Sequence, residues 1–370
     1  MSPDANKAVS ASGQGGGKST VANVTLAEQL DRHTVVGSLC RAEDGRIRCL
    51  ACGHRCLLAP WRRGICKVRF NDNGQLKVPF GYVAGLQCDP VEKKPFYHLL
   101  PGSPALTFGM LGCDFHCSYC QNWVTSQALR DSASLAPIQA ISAEQIASTA
   151  AHFKARLVVS SYNEPLITAE WAAAIFEKAQ AAGCRCAFVS NGNATPEALD
   201  FLGPLLTACK VDLKCFNDRN YRQLGGVLGR VTETIGRLYE RGIWVEVVTL
   251  LVPGFNDSEP ELRALARFVA GISRSIPWHV TAFHQDYKMT EAPNTTVQDL
   301  LRAAEIGVEE GLRFVYAGNA AGRVGEWENT RCPKCGRTLV KRHGYHILTN
   351  TVTKEGKCPA CGEGIPGIWA

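Results

Sequence analysis

The sequence predicts an α/β protein: a partial (β/α)6 TIM-like barrel between an N-terminal cysteine-rich module and a C-terminal zinc-ribbon-like module. Three observations predict it. From Ala105 onward, short β-branched runs alternate with amphipathic helical stretches, the signature of parallel strands joined by helices. Eleven of the 17 cysteines fall into three groups with ligand-like gaps. The 370 residues suit either two domains or one barrel with small appendages.

The strand candidates are 105–111, 156–161, 184–190, 208–214, 243–252, 278–284 and 312–317. Helix candidates lie near 143–155, 169–182, 196–206, 230–241, 258–273 and 296–310. Ser142, with Glu144 close behind, marks an N-cap region, and Pro196 suits a first helical turn. Six or seven such units fall short of a closed eight-fold barrel. An open barrel places its chemistry where strands end and loops begin. The expected divisions are a disordered tail at 1–35, the cysteine-rich module at 36–100, the barrel at 101–325 and the ribbon-like module at 326–370.

Composition narrows the class. Hydrophobic residues at 45% and charged residues at 20% exclude a wholly disordered, collagen-like or coiled-coil chain. The net charge of +6 is spread out and does not indicate nucleic acid. No apolar run reaches the roughly 18 residues of a membrane span, and the N-terminus has no apolar signal core. A cytoplasmic protein is expected, and disulfides are a poor account of the cysteines there. Gly13 to Ser19 superficially resembles a phosphate-binding loop, but Ser12 stands where the motif needs glycine and no strand precedes it.

The decisive motif is Cys113-x3-Cys117-x2-Cys120, directly after the first barrel strand. Three thiolates ligate three irons of a [4Fe–4S] cube and leave the fourth iron open to a small molecule. A structural zinc takes four protein ligands, so a lone triplet fits it less well, and His116 as fourth ligand is a minor alternative. Cys49, Cys52, Cys56 and Cys66 offer four thiolates within one short stretch. Structural zinc is the favoured occupant and an auxiliary Fe–S cluster the alternative, with His54 a substitute ligand or a hydrogen-bond partner. Cys332, Cys335, Cys358 and Cys361 form two C-P-x-C-G knuckles, a zinc-ribbon signature. Cys40, Cys88, Cys184, Cys186, Cys209 and Cys215 read as small apolar residues, although Cys215 follows a strand end and could face the cavity.

The triplet, at this point of a partial barrel, resembles radical SAM enzymes. The stretch DPVEKKPFYHLLPGSPALTFGMLGCDFHCSYCQNW resembles their activating-enzyme branch, relatives of pyruvate formate-lyase activase. SYNEP, VDLKCF, TLLVPGFND, FHQDYKM, AGN and the C-terminal CPKCG, CPACG and IPGIW are most similar to the radical SAM member of the AmmeMemoRadiSam system. The likeness covers about residues 36–370.

That resemblance implies a [4Fe–4S] cluster, S-adenosylmethionine (SAM), a 5′-deoxyadenosyl radical that abstracts hydrogen, and an electron donor of flavodoxin or ferredoxin type. It also implies Memo-type and AMMECR-type partners. It carries over Glu164, at the end of SYNEP, as a contact to the SAM amino group, with Asn163 contributing where relatives have glycine. It places Asp212 and Lys214 beside SAM and substrate, and His284 near the ribose. Tyr119 is expected at the adenine.

From the residues themselves, Ser190 and Asn191 end a strand and suit the SAM carboxylate or ribose, and Gly192 lets backbone approach a ligand. Asp212 and Lys214 share one face of a strand, which suggests a charged-ligand site or an interior ion pair. Asn319 is a weaker candidate, and Lys93, Lys94 and His98 are candidates for capping the open side. Two other readings stand beside this one: an activase for a glycyl radical enzyme, and a zinc-scaffolded RNA- or protein-binding protein with a degenerate barrel.

Overall fold

The computed structural model describes residues 25–134 and 136–370. Its centre is an eight-stranded sheet. In chain order the strands are β1 (Gly85–Pro90), β2 (Pro104–Gly109), β3 (Leu157–Ser160), β4 (Arg185–Ser190), β5 (Ala208–Asp212), β6 (Trp244–Leu251), β7 (Trp278–Ala282) and β8 (Val315–Gly318). They lie side by side in that order. β2 through β8 run parallel, and β1 pairs antiparallel with β2. All seven expected strands are present.

Six helices fill the connections: α1 (Ala143–His152), α2 (Ala169–Ala181), α3 (Pro196–Leu202), α4 (Leu228–Glu240), α5 (Glu259–Ile272) and α6 (Val297–Glu309). Six β/α units plus a seventh parallel strand make the open arrangement. Local chemistry sets the helix ends. Ser142 accepts from Gln145 N while the Gln145 side chain returns to Ser142 N, so the partner in this capping box is Gln145 and not Glu144. Thr195 caps α3, with Pro196 at its first turn. The strands explain their own composition: Leu157, Val158, Val159 and Ser160 are all buried, as expected for parallel strands covered on both faces.

Two expected boundaries move. Residues 25–35, drawn as part of a disordered tail, are ordered: Leu26–Asp31 is a helix under a Thr25–Glu28 capping box and Thr34–Val36 is a strand paired with Gln75–Pro79. Residues 1–24, which include the Gly13 to Ser19 stretch, lie outside the described residues. The division at residue 100 is crossed by β1, which belongs to the central sheet. Apolar alternation is weak in β1, so its pairing comes from tertiary contact with β2.

The flanking segments are fastened by buried polar contacts. The Arg69 guanidinium, 1% exposed, makes paired bonds of 2.7 and 2.8 Å to Glu170 of α2. At the C-terminus, Thr330–Arg331, Thr338–His343 and His346–Asn350 form an antiparallel sheet. Arg342 reaches back to the Tyr97 carbonyl, and Ile368 exchanges backbone bonds with His98 and Leu100.

Candidate active site

The carboxyl ends of β2 to β5 converge. Gly109 ends β2, and a Cβ there would collide with the Ser161 carbonyl, so only glycine lets the two strand ends meet this closely. Gly112 follows at φ +95°, a left-handed turn that delivers Cys113. Cys113, Cys117 and Cys120 then border a niche of about 90 Å³ together with Glu164, Asn191, Asp212 and Lys214.

Burial raises all three thiols, with Cys117 pushed up to about 12. The charge of Asp114 adds to the rise at Cys113, whereas Lys214 opposes it at Cys117. Coordination would deprotonate these thiols, and three of them converge on one niche beside an open space. The donor set therefore fits an iron–sulfur cluster. Cys120 Sγ also lies 3.1 Å from Ser126 Oγ.

Opposite the thiols, the Glu164 carboxylate is 2% exposed. It accepts from Ser190 Oγ at 2.7 Å, Asn191 N at 2.8 Å and Leu166 N at 3.1 Å. Burial, reinforced by the charge of Asp114, nevertheless pushes its pKa up to about 8. A cationic group placed here would restore ionisation. Asp212 lies between two ammonium groups: Lys210 Nζ, in close contact, and Lys214 Nζ at 2.8 Å. Burial opposes ionisation of Asp212, but the two lysines outweigh it and hold the carboxyl at about 2. The same carboxylate raises Lys214, whereas burial wins at Lys210 and lowers it. Asp212 and Lys214 are thus an ion pair and also line the niche; neither sequence alternative excludes the other.

A larger cavity of about 380 Å³ shares this wall, bordered by Cys117, Cys120, Tyr119, Lys94, Lys210 and Asp212 among others. Tyr119 is 3% exposed, and its hydroxyl has no partner. Asn163 turns inward to accept from Met110 N at 2.9 Å, so it braces the β2 end. Lys93 and Lys94 both bind Asp89 and line the larger cavity. His284 is exposed and lines a neighbouring cavity that shares Gln121, Asn319 and Tyr345 with the larger one. His98 is fully buried at the opposite end of the sheet, which overturns its placement on the open side. His116 is exposed against Gly225, away from the niche. Cys215 is buried and does not border these cavities.

Two residues were not singled out from the sequence. Lys210 shares the strand period of Asp212 and Lys214, a signal that was available. Asp114 sits inside the triplet, where it counted only as a spacer. It is fully buried and accepts from Asn191 Nδ2 at 2.7 Å and Asn193 Nδ2 at 2.8 Å. Nothing local in the sequence announces that pairing.

The C-terminal knuckles form a compact group. The sulfurs of Cys332, Cys335, Cys358 and Cys361 all lie within 4.8 Å of one another. Contacts of 3.5 and 3.7 Å join them across the two knuckles. That spacing suits one tetrahedral ion.

An open, mostly parallel α/β sheet thus carries a cysteine triplet and paired charges together at its carboxyl edge, where open α/β sheets place their ligands. Residues 108–266 match the Radical SAM superfamily. An uncharacterized protein of Methanocaldococcus jannaschii is 34% identical over 328 residues, spanning 88% of this chain and 96% of its own. Among solved structures, a domain of pyruvate-formate lyase-activating enzyme from Bacteroides vulgatus is 18% identical at a TM-score of 0.40, covering 44% of this chain and 98% of its own. A radical SAM methyltransferase from Sphaerobacter thermophilus is 18% identical at 0.45, covering 66% and 71%. No helix among the described residues is long and apolar enough to cross a membrane.

Proposed function

We propose that the protein is a radical SAM enzyme whose [4Fe–4S] cluster is held by Cys113, Cys117 and Cys120. When bound, that cluster supplies the electron that cleaves SAM to methionine and a 5′-deoxyadenosyl radical, which abstracts hydrogen from a substrate. One observation carries the reading: the three thiols, Glu164, Asn191, Asp212 and Lys214 border a single niche at the carboxyl edge of the sheet.

The chain's own residues divide the work. Glu164, fixed by three donors, receives the SAM amino group and ionises as it does so. Asn191 and Ser190 hold the Glu164 side chain and present amide and hydroxyl groups toward the SAM carboxylate and ribose. Lys214 brings a positive charge beside Cys117, where an anionic cluster and a carboxylate both favour it. Tyr119 lines the wall toward the adenine. His284, in an adjoining cavity that shares Gln121, Asn319 and Tyr345 with the larger one, faces the ribose. The larger cavity beside Cys117 receives the substrate. The electron comes from a flavodoxin or ferredoxin. Memo-type and AMMECR-type proteins are the partners to test for substrate, and the C-terminal quartet holds structural zinc.

The test is anaerobic reconstitution with iron and sulfide, addition of dithionite and SAM, and chromatographic measurement of 5′-deoxyadenosine. Product is expected from the wild type and none from Cys117→Ala. A protein that takes up no iron at the triplet would sink the reading and leave a zinc-scaffolded binding protein.

A further inference from the structure

We propose that Cys49, Cys52, Cys56 and Cys66 hold a second iron–sulfur cluster, and that it lies in electron-transfer contact with the cluster proposed on Cys113, Cys117 and Cys120. The contact rests on that earlier reading of the triplet; the occupancy of the N-terminal quartet does not.

Sulfur spacing separates the three cysteine groups. A tetrahedral zinc with bonds of about 2.3 Å sets its sulfurs about 3.8 Å apart. The C-terminal quartet meets that demand. Among the described residues it alone gathers three or more ligand atoms within 4.8 Å of one another. Neither the triplet nor any three sulfurs of the N-terminal quartet gather within 4.8 Å of one another as those of the C-terminal quartet do. Yet the quartet is a real group. A Cβ at Gly64 would stand 3.7 Å from both Cys56 Sγ and Cys66 Sγ, and Cys49 acts electrostatically on Cys52, Cys56 and Cys66. Four buried or half-buried thiols, grouped but gathered less tightly than the ligands of one ion, suit a cluster of several irons. Backbone N–H groups also point at the sulfurs: His54 at Cys52, Ile65 at Cys56, and Val68 and Arg69 at Cys66. Such donors tune cluster potential.

The path to the triplet is short. His54 follows Cys52 by two residues, is buried at its Nε2 atom, and has no hydrogen-bond partner there. That atom lies 3.9 Å from Asp114 Oδ2, and Asp114 Oδ1 lies 3.8 Å from Cys113 Sγ. Asn191 and Asn193 clamp Asp114 between the two thiol sets. Gly53 N donates to the Asn193 carbonyl at 2.7 Å, so the quartet's loop is docked on the active-site loop. The step is a one-electron exchange: the reduced second cluster is oxidised, the triplet cluster is reduced, and no bond is made or broken. A low-potential one-electron carrier replaces the electron.

The intact chain tests this first. Purified without air, it should contain about one zinc per chain and more iron than one cluster accounts for. Two zincs per chain would overturn the proposal. Next, the Cys113→Ala, Cys117→Ala, Cys120→Ala triple variant should keep a brown colour and part of the iron; a colourless, iron-free but folded variant would overturn it. Cys52→Ala should lose only part of its iron and keep the paramagnetic signal that SAM perturbs. If Cys52→Ala loses all iron while the triple variant does not, the second cluster stands and the reading of the triplet fails. In the reduced wild type, electron paramagnetic resonance should show the two signals mutually broadened, and narrowed in either variant. Two unbroadened signals would overturn the electron contact.

Discussion

The same parallel strands carry buried charge at both ends, and the two ends treat it differently. At the amino end, Glu246 of β6 is fully buried and accepts from Tyr97 N, His98 N, Trp244 Nε1 and His279 Nε2. His98 in turn contacts the Pro366 carbonyl and the Tyr316 hydroxyl, each at 2.6 Å. Burial opposes ionisation of Glu246, but His279 and the donors around it hold its pKa down. This end is closed, and its charge is matched by donors that join β6, β7, β8 and the C-terminal module. At the carboxyl end, Glu164 is raised, Tyr119 Oη is unpartnered, and cavities open beside both. A buried charge with its valences filled holds a fold together; one left raised beside a cavity awaits a ligand.

One substitution made at each end gives the sharpest break. Glu246→Gln should cost about 3 kcal/mol, because an amide presents donors where His279 and backbone N–H groups already donate. Denaturant unfolding measures it, and a loss under 1 kcal/mol would remove the distinction. Glu164→Gln should cost only about 1 kcal/mol, since one hydrogen bond turns unfavourable on a group already raised toward neutrality. It should instead weaken SAM binding at least tenfold, read by calorimetry on the reconstituted protein.

The pH response should differ in sign between the ends. Burial lowers His98 to about 4, against an ordinary value of 6.5. The unfolded chain therefore takes a proton that the folded chain refuses, and stability falls as pH drops from 6.5 toward 4. Glu164, at about 8 against 4.5, retains a proton that the unfolded chain releases, so stability falls as pH rises from 4.5 toward 8. Each contribution has a limiting slope of about 1.4 kcal/mol per pH unit. Subtracting the unfolding curves of His98→Gln and Glu164→Gln from the wild-type curve should isolate slopes of opposite sign; equal signs would contradict this account. The smallest effect belongs to neither end. Arg302 pairs with Glu259 and Glu309 on the surface with its side chain 42% exposed, and Arg302→Ala should leave the denaturant midpoint of unfolding essentially where it is in the wild type.

Much of this was legible in the chain. β-branched runs and helical periodicity located β2 to β8 and the six helices, because parallel strands and their covering helices write burial directly into local composition. Cysteine spacing located all three thiol groups, and Asp212 with Lys214 followed from strand alternation. Tertiary structure alone decided the rest. β1 pairs through its backbone, which any sequence supplies. Asp114 meets Asn191 and Asn193, and His54 meets Asp114, across long sequence separations. His98 lies beneath the sheet and His284 in a side cavity, since a residue's place relative to a niche depends on how distant segments pack. Sequence determines which groups can ligate and which strands form; the spacing of sulfurs and the filling of a carboxylate's valences are properties of the packed chain.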